Sequence, residues 1–154
     1  MTEIEINNKS EVLGEVDAIL HGIEQRTPLM RRLSGTMYSA VMQNFDAGGR
    51  PAWAGLKYRT GKPLSDTGSL RGSISEEYDN NHAVVGTNDV RAKIHQFGGT
   101  IKARNHPYLT FKVGDVWVRK KEVTIPARPF LMLTKQDEDD LLDDAQSYFR
   151  SLGR

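Results

Sequence analysis

Every fourth residue from Leu29 to Phe45 is large and apolar: Leu29, Leu33, Met37, Val41 and Phe45. Residues four apart lie one above another on an α-helix. The spacing therefore predicts a long helix with one face that has to be covered. Thr27 is the expected N-cap, Pro28 suits the first turn, and Gly48 or Gly49 supplies the left-handed terminator. Met30 and Met42 flank the stripe. Methionines also line adaptable binding surfaces, but this spacing reads as core packing. Two more stretches share its period. Upstream, behind a Ser10 cap, Val12, Leu13, Val16, Ile19, Leu20 and Ile23 recur on one face. Downstream, Leu141, Leu142, Ala145, Phe149 and Leu152 do the same. That last helix opens at Thr134. Asp137 completes a T-x-x-D variant of the capping box, and the acidic first turn suits the positive helix end.

Between these helices the period falls to two. Ser73–Tyr78 and His82–Thr87 read as a hairpin around Asp79-Asn80-Asn81. "YLTFKV" and "VWVRKKEVTI" read as a second around Gly114-Asp115. Asn88 or Asp89 caps a short helix that runs through Phe97 and is closed by Gly98-Gly99, and "TIKAR" is a short strand. "IPARPFLML" has two prolines three apart, so it is extended. The fold class is α+β: an N-terminal helical hairpin, a mostly antiparallel sheet with a short inserted helix, and a C-terminal helix. A chain of 154 residues is most simply one domain, spanning residues 1–154.

Residues 46–66 fit neither period. The stretch is rich in Gly, Pro and basic residues, yet holds Trp53, Leu56 and Tyr58. Long aperiodic loops inside compact domains are usually functional or disordered. Two readings stand. Trp53 pins a surface loop to its own domain, or the segment is a flexible arm that orders against a partner. The second is the expectation adopted.

The chain has no cysteine, which excludes a disulfide scaffold, a thiolate zinc site and a cysteine nucleophile. The start, "MTEIEINNKS", is acidic and unlike a signal peptide, and no apolar run is long enough to span a membrane. "GLKYRTGKP" fails as a phosphate loop, because five residues separate its glycines and Pro63 stands where a hydroxyl is needed. The acids from Asp137 to Asp144 resemble a metal cluster only in number, and capping and the helix dipole explain them. His95 in "IHQFGG" has no acid beside it in sequence, so a role as a base rests on spatial neighbours.

Net charge is +1, but it is unevenly spread. From Arg91 to Lys121 there are eight Lys or Arg residues and one acid, Asp115, whereas the last helix opens with a block of acids. Such a subunit suits head-to-side packing against its own copies. The same basic middle, with Tyr108 and Trp117, also suits a small nucleic-acid-binding module, although no helix-turn-helix, zinc finger or RNP-type sequence is present.

Four segments in order, "FDAGGRPAWAGL", "LSDTGSLRGSI", "VVGTNDVRAKIHQFGG" and "IPARPFL", give the chain a family resemblance from Phe45 to Leu131. It resembles the phage virion morphogenesis proteins, the tail completion proteins of Mu-like and P2-like phages and prophages. "NHPYLTFKVGDVWVRKKEV" matches in type only. The resemblance implies a structural protein of tail completion and head-tail joining. It would act as a homo-oligomeric ring matching the six-fold tail. Its partners would be the tail tube or terminator and the head-neck proteins, with contact to phage DNA in the channel. It would reside in the virion, and in the host cytoplasm during assembly. The resemblance assigns no catalytic residue, cofactor or metal. On this reading Trp53 and Tyr58 anchor the arm on a neighbour, and Arg71 and Arg128 bond acids across the seam. His95 and Gln96 are hydrogen-bonding pegs near it, and Ile94 and Phe97 are core contacts.

Overall fold

The computed structural model describes residues 9–153. In chain order the elements are α1 (Lys9–Glu24), α2 (Thr27–Ala47), α3 (Ser69–Gly72), β1 (Ile74–Tyr78), β2 (Ala83–Thr87), α4 (Ala92–Phe97), β3 (Gly99–Lys102), β4 (Leu109–Val113), β5 (Val116–Lys120), β6 (Glu122–Ile125) and α5 (Lys135–Leu152). The class is α+β, as the alternation of periods predicts.

The strands form three separate antiparallel ribbons rather than one sheet: β1–β2, β3–β6 and β4–β5. "VWVRKKEVTI" is therefore not one strand. It breaks at Lys121, so that β5 returns along β4 while β6 leaves to pair with β3 in the register Gly99↔Ile125. The alternation slips there: four charged residues, Arg119 to Glu122, interrupt it, and the inward-facing positions change from Val118 to Val123 and Ile125.

α2 is the axis of the body, and both α5 and the β1–β2 ribbon pack on it. Its buried stripe includes Leu29, Val41 and Phe45. Gly48 stops it in the left-handed region at φ 71°, and the Gly49 N–H donates to the Asn44 carbonyl at 2.8 Å. The core gathers Val41 and Phe45 with Trp53, Leu64, Leu70, Ile74 and Phe130. The Phe45 ring meets Trp53 edge-on at 5.8 Å and Phe130 at 5.5 Å.

The N-terminus of α2 is capped by tertiary structure. Thr27 is its first residue, and no side chain of its own caps it. Instead Asn80, from the β1–β2 turn, accepts from the Arg26 N–H at 2.5 Å and the Thr27 N–H at 3.2 Å. The same amide donates to the Glu24 carbonyl at 2.7 Å, so it grips the end of α1 as well. At α5 the predicted capping box is present, with Thr134 and Asp137 bonded reciprocally.

α1 leans on α5 through its second half only. The Tyr148 hydroxyl donates to the Gly22 carbonyl at 2.8 Å, and Leu152 lies where a Cβ on Gly22 would stand. Every residue from Glu11 to Ala18 is exposed, including Val12, Leu13 and Val16 of the predicted apolar face. The helix projects past its own support.

Candidate interaction site

The expected arm does not leave its domain. Trp53 is 9% exposed inside the chain's own core, and its indole N–H donates to the Pro129 carbonyl at 3.1 Å. Gly49 makes room for it: a Cβ there would stand 2.5 Å from the indole. Leu64 is buried too. Arg128, buried beneath, donates to the Ala54 carbonyl at 2.8 Å and the Gly55 carbonyl at 2.7 Å. Lys62 Nζ donates to the Asp46 carbonyl. Large apolar surface and a guanidinium both need cover, and residues 46–66 find it on their own body.

Tyr58 lies further out. Its ring packs edge-on to Phe111 of β4 at 5.3 Å, and Lys120 Nζ of β5 donates to its hydroxyl at 3.0 Å. The bond from Lys120 favours the phenolate and lowers the Tyr58 pKa. Tyr58 thus ties the arm to the β4–β5 ribbon within one subunit. Arg71, expected across a seam, pairs with its own Asp46 at 2.7 Å. Arg128 likewise meets carbonyls of its own arm.

Gln96 is a peg, but an internal one. Its carbonyl oxygen accepts from the Phe130 and Leu131 N–H groups, each at 3.0 Å, and its amide donates to the Leu131 carbonyl at 3.2 Å. It gives the extended "ARPFL" segment the bonds a neighbouring strand would supply. Gly98 permits this approach, since a Cβ there would stand 2.7 Å from the Ala127 nitrogen. Ile94 is half-buried, whereas Phe97 is 72% exposed and not the core contact expected.

His95 borders a cleft of about 620 Å³ between the arm and the body, lined also by Leu56, Tyr58, Leu64, Leu70 and Arg128. Burial, then the cations of Arg128 and Arg91, hold its pKa below the ordinary histidine range. Both effects favour the neutral ring. Its buried Nδ1 has no hydrogen-bond partner, and no carboxylate among the described residues bonds the ring. Asp89, the nearby acid, is committed to Arg91, whose bonds lower its pKa to about 2.

The sequence reading missed a buried polar knot. Asn44, fully buried on α2, donates to the Phe130 and Met132 carbonyls at 2.9 and 2.8 Å and accepts from Arg50 Nε at 2.8 Å. Arg50 in turn reaches both oxygens of Asp137, at 3.1 and 2.8 Å. The signal was an asparagine beside Phe45 in an apolar stripe, and an arginine just after the helix stop.

What remains open for partners lies elsewhere. The β4–β5 ribbon exposes Trp117 by 68% and Val116 by 66%. The helical side exposes Val12, Leu13, Val16 and Leu20 of α1, with Leu142 and Phe149 of α5.

Residues 7–150 match the family model described as the phage virion morphogenesis family. The chain belongs to that family. It is 51% identical over 152 residues, 99% of both chains, to the Mu-like prophage FluMu G protein 2 of Haemophilus influenzae. It is also 30% identical over 83 residues, 54% of this chain and 44% of the relative, to the putative capsid assembly protein G of Escherichia phage Mu. No solved structure matches it. Its role is structural, in the assembly of a phage particle. The segments that carried the family resemblance are those that meet in space. "FDAGGRPAWAGL" supplies Phe45, Arg50 and Trp53, "IHQFGG" supplies Gln96, and "IPARPFL" supplies Arg128 and Phe130.

Proposed function

We propose that this protein completes the phage tail and joins it to the head, acting as a homo-oligomeric ring that matches the six-fold tail. Membership of the virion morphogenesis family supports the setting, and the amount of open surface supports the assembly. The accessible surface is 11187 Å² for a chain of 17.3 kDa, against roughly 7,800 Å² for a compact monomer of that mass. Allowing roughly 160 Å², an extended residue's worth, for each residue outside 9–153 still leaves an excess on the order of 2,000 Å². A ring subunit has two neighbours, and two standard interfaces bury about 1,600 Å² of it. Ribbons of two strands are also marginal on their own, and here they extend from a small core. On this reading the ring meets the tail tube or terminator on one side and the neck proteins on the other, with phage DNA passing through. The protein is then part of the virion, assembled in the bacterial cytoplasm.

The test is an induced prophage from which this protein is missing. The expected result, by electron microscopy, is filled heads beside unjoined tails, with joining restored by the purified chain. Joined particles at the normal yield would overturn the proposal.

A further inference from the structure

We propose that the β4–β5 ribbon of one subunit docks on the α1–α5 face of the next. This rests on the self-assembly proposed above and specifies its two surfaces. In the ribbon, Lys112 stands opposite Trp117 and Thr110 opposite Arg119, so these four share one face, and all are exposed. The other face turns Phe111 and Val118 inward, with Tyr58 on Phe111. An indole left in water between Lys112 and Arg119 is the kind of residue that dominates interface energy once covered.

The receiving face is its complement. α1 carries Val12, Leu13, Val16, Leu20 and Ile23 exposed on a helix that its own subunit supports only near Gly22. Short helices are marginal in water without a packed face. Around this stripe stand Glu15, Asp17 and Glu24, all exposed. On the adjacent α5, Leu142 and Phe149 are exposed, with the exposed acids Glu138, Asp139 and Asp143 and the bases Lys135 and Arg150 beside them. An apolar stripe flanked by acids fits an indole flanked by bases.

The charges also select the occupant. Two copies of α1 packed on each other would bring their acids together, which is repulsive. The ribbon brings Lys112 and Arg119 instead, the former 3.4 Å from the exposed Asp115 of the ribbon turn. Because the two surfaces differ, the contact is heterologous, and repeating it closes a ring or grows a filament. A nucleic acid would also stack on Trp117 and pair with these cations, but it would leave the acidic apolar face uncovered.

The test uses the full chain and two exposed-site variants, Trp117→Asp and Val16→Asp, with circular dichroism and melting to confirm that both fold. Self-association is measured by sedimentation equilibrium. Each variant alone is expected to self-associate at least about thirtyfold more weakly than wild type. Mixed in equal amounts, they are expected to form heterodimers and nothing larger, since one keeps an intact ribbon and the other an intact helical face. A Trp117→Asp variant that still dimerises alone, or assembles like wild type, overturns the docking. So does one that keeps its self-association but loses binding to a labelled DNA duplex. A wild-type chain that stays monomeric at the highest concentration reached would remove the ring reading itself, a different failure from intact rings that ignore both substitutions.

Discussion

Asp137 shows how much structure one carboxylate can organise. It accepts from the Thr134 N–H at 2.7 Å, which caps α5, and from both ends of the Arg50 guanidinium, which ties α5 to the start of the arm. Burial by itself would raise its pKa. The bonds from Thr134 and then from Arg50 outweigh that and hold the pKa below the ordinary carboxylate value. A depressed folded-state pKa contributes stability in full above the unfolded value of roughly 3.9, and loses it as pH falls through the folded value. The urea midpoint is therefore expected to hold from neutral pH downward and to fall below about pH 4. Asp137→Asn should have a lower midpoint at pH 7 and a shallower acid decline than wild type. Asp79 and Asp89 also have lowered pKa values and titrate in both proteins. The difference between the two curves therefore reports on Asp137, and parallel curves would refute its role.

At the scale of elements, Arg128 holds residues 46–66 closed. Its two bonds to arm carbonyls are charge-assisted, each worth about 1.5–3 kcal/mol when made by a charged donor. The arm carries Lys57 and Arg59, both trypsin sites. Native-state cleavage there is expected to rise at least about tenfold in Arg128→Ala, in line with the loss of one such bond. An unchanged cleavage rate would mean that Trp53 and Leu64 suffice alone. The elements were legible where their cause is local. The four-residue stripe gave α2, the glycine pair gave its end, and T-x-x-D gave the start of α5. What escaped depends on partners distant in sequence. Trp53 announces that an indole must be covered but not by whose surface, and the covering came from its own chain. The face of α1 makes the same announcement, and there the cover is missing. β5 and β6 read as one strand because both are extended and apolar-rich, and the charged run Arg119 to Glu122 that divides them does not say which strand each pairs with. Arg71 and Arg128 bond their own Asp46 and arm carbonyls, partners that no local pattern names.

At the scale of the whole molecule, charge runs from a basic ribbon to an acidic helical side, and the proposed contact brings these ends together. Exposed ion pairs are screened by salt, while burial of Trp117 and Val16 is not. Assembly measured by sedimentation is expected to weaken from 0.05 to 0.5 M salt, values chosen to take the Debye length from about 14 to about 4 Å, without being abolished. Complete insensitivity to salt would argue against charge pairing. The hold of Asn80 on both Glu24 and Thr27 has a bearing on this geometry. A single amide in a strand turn sets the bend between a long helix anchored in the body and a short one reaching beyond it. In the proposed packing that bend fixes how far each copy is rotated from the last. The curvature of the whole assembly, and hence whether it closes on itself or winds on as an open coil, traces back to one asparagine that meets no neighbour at all.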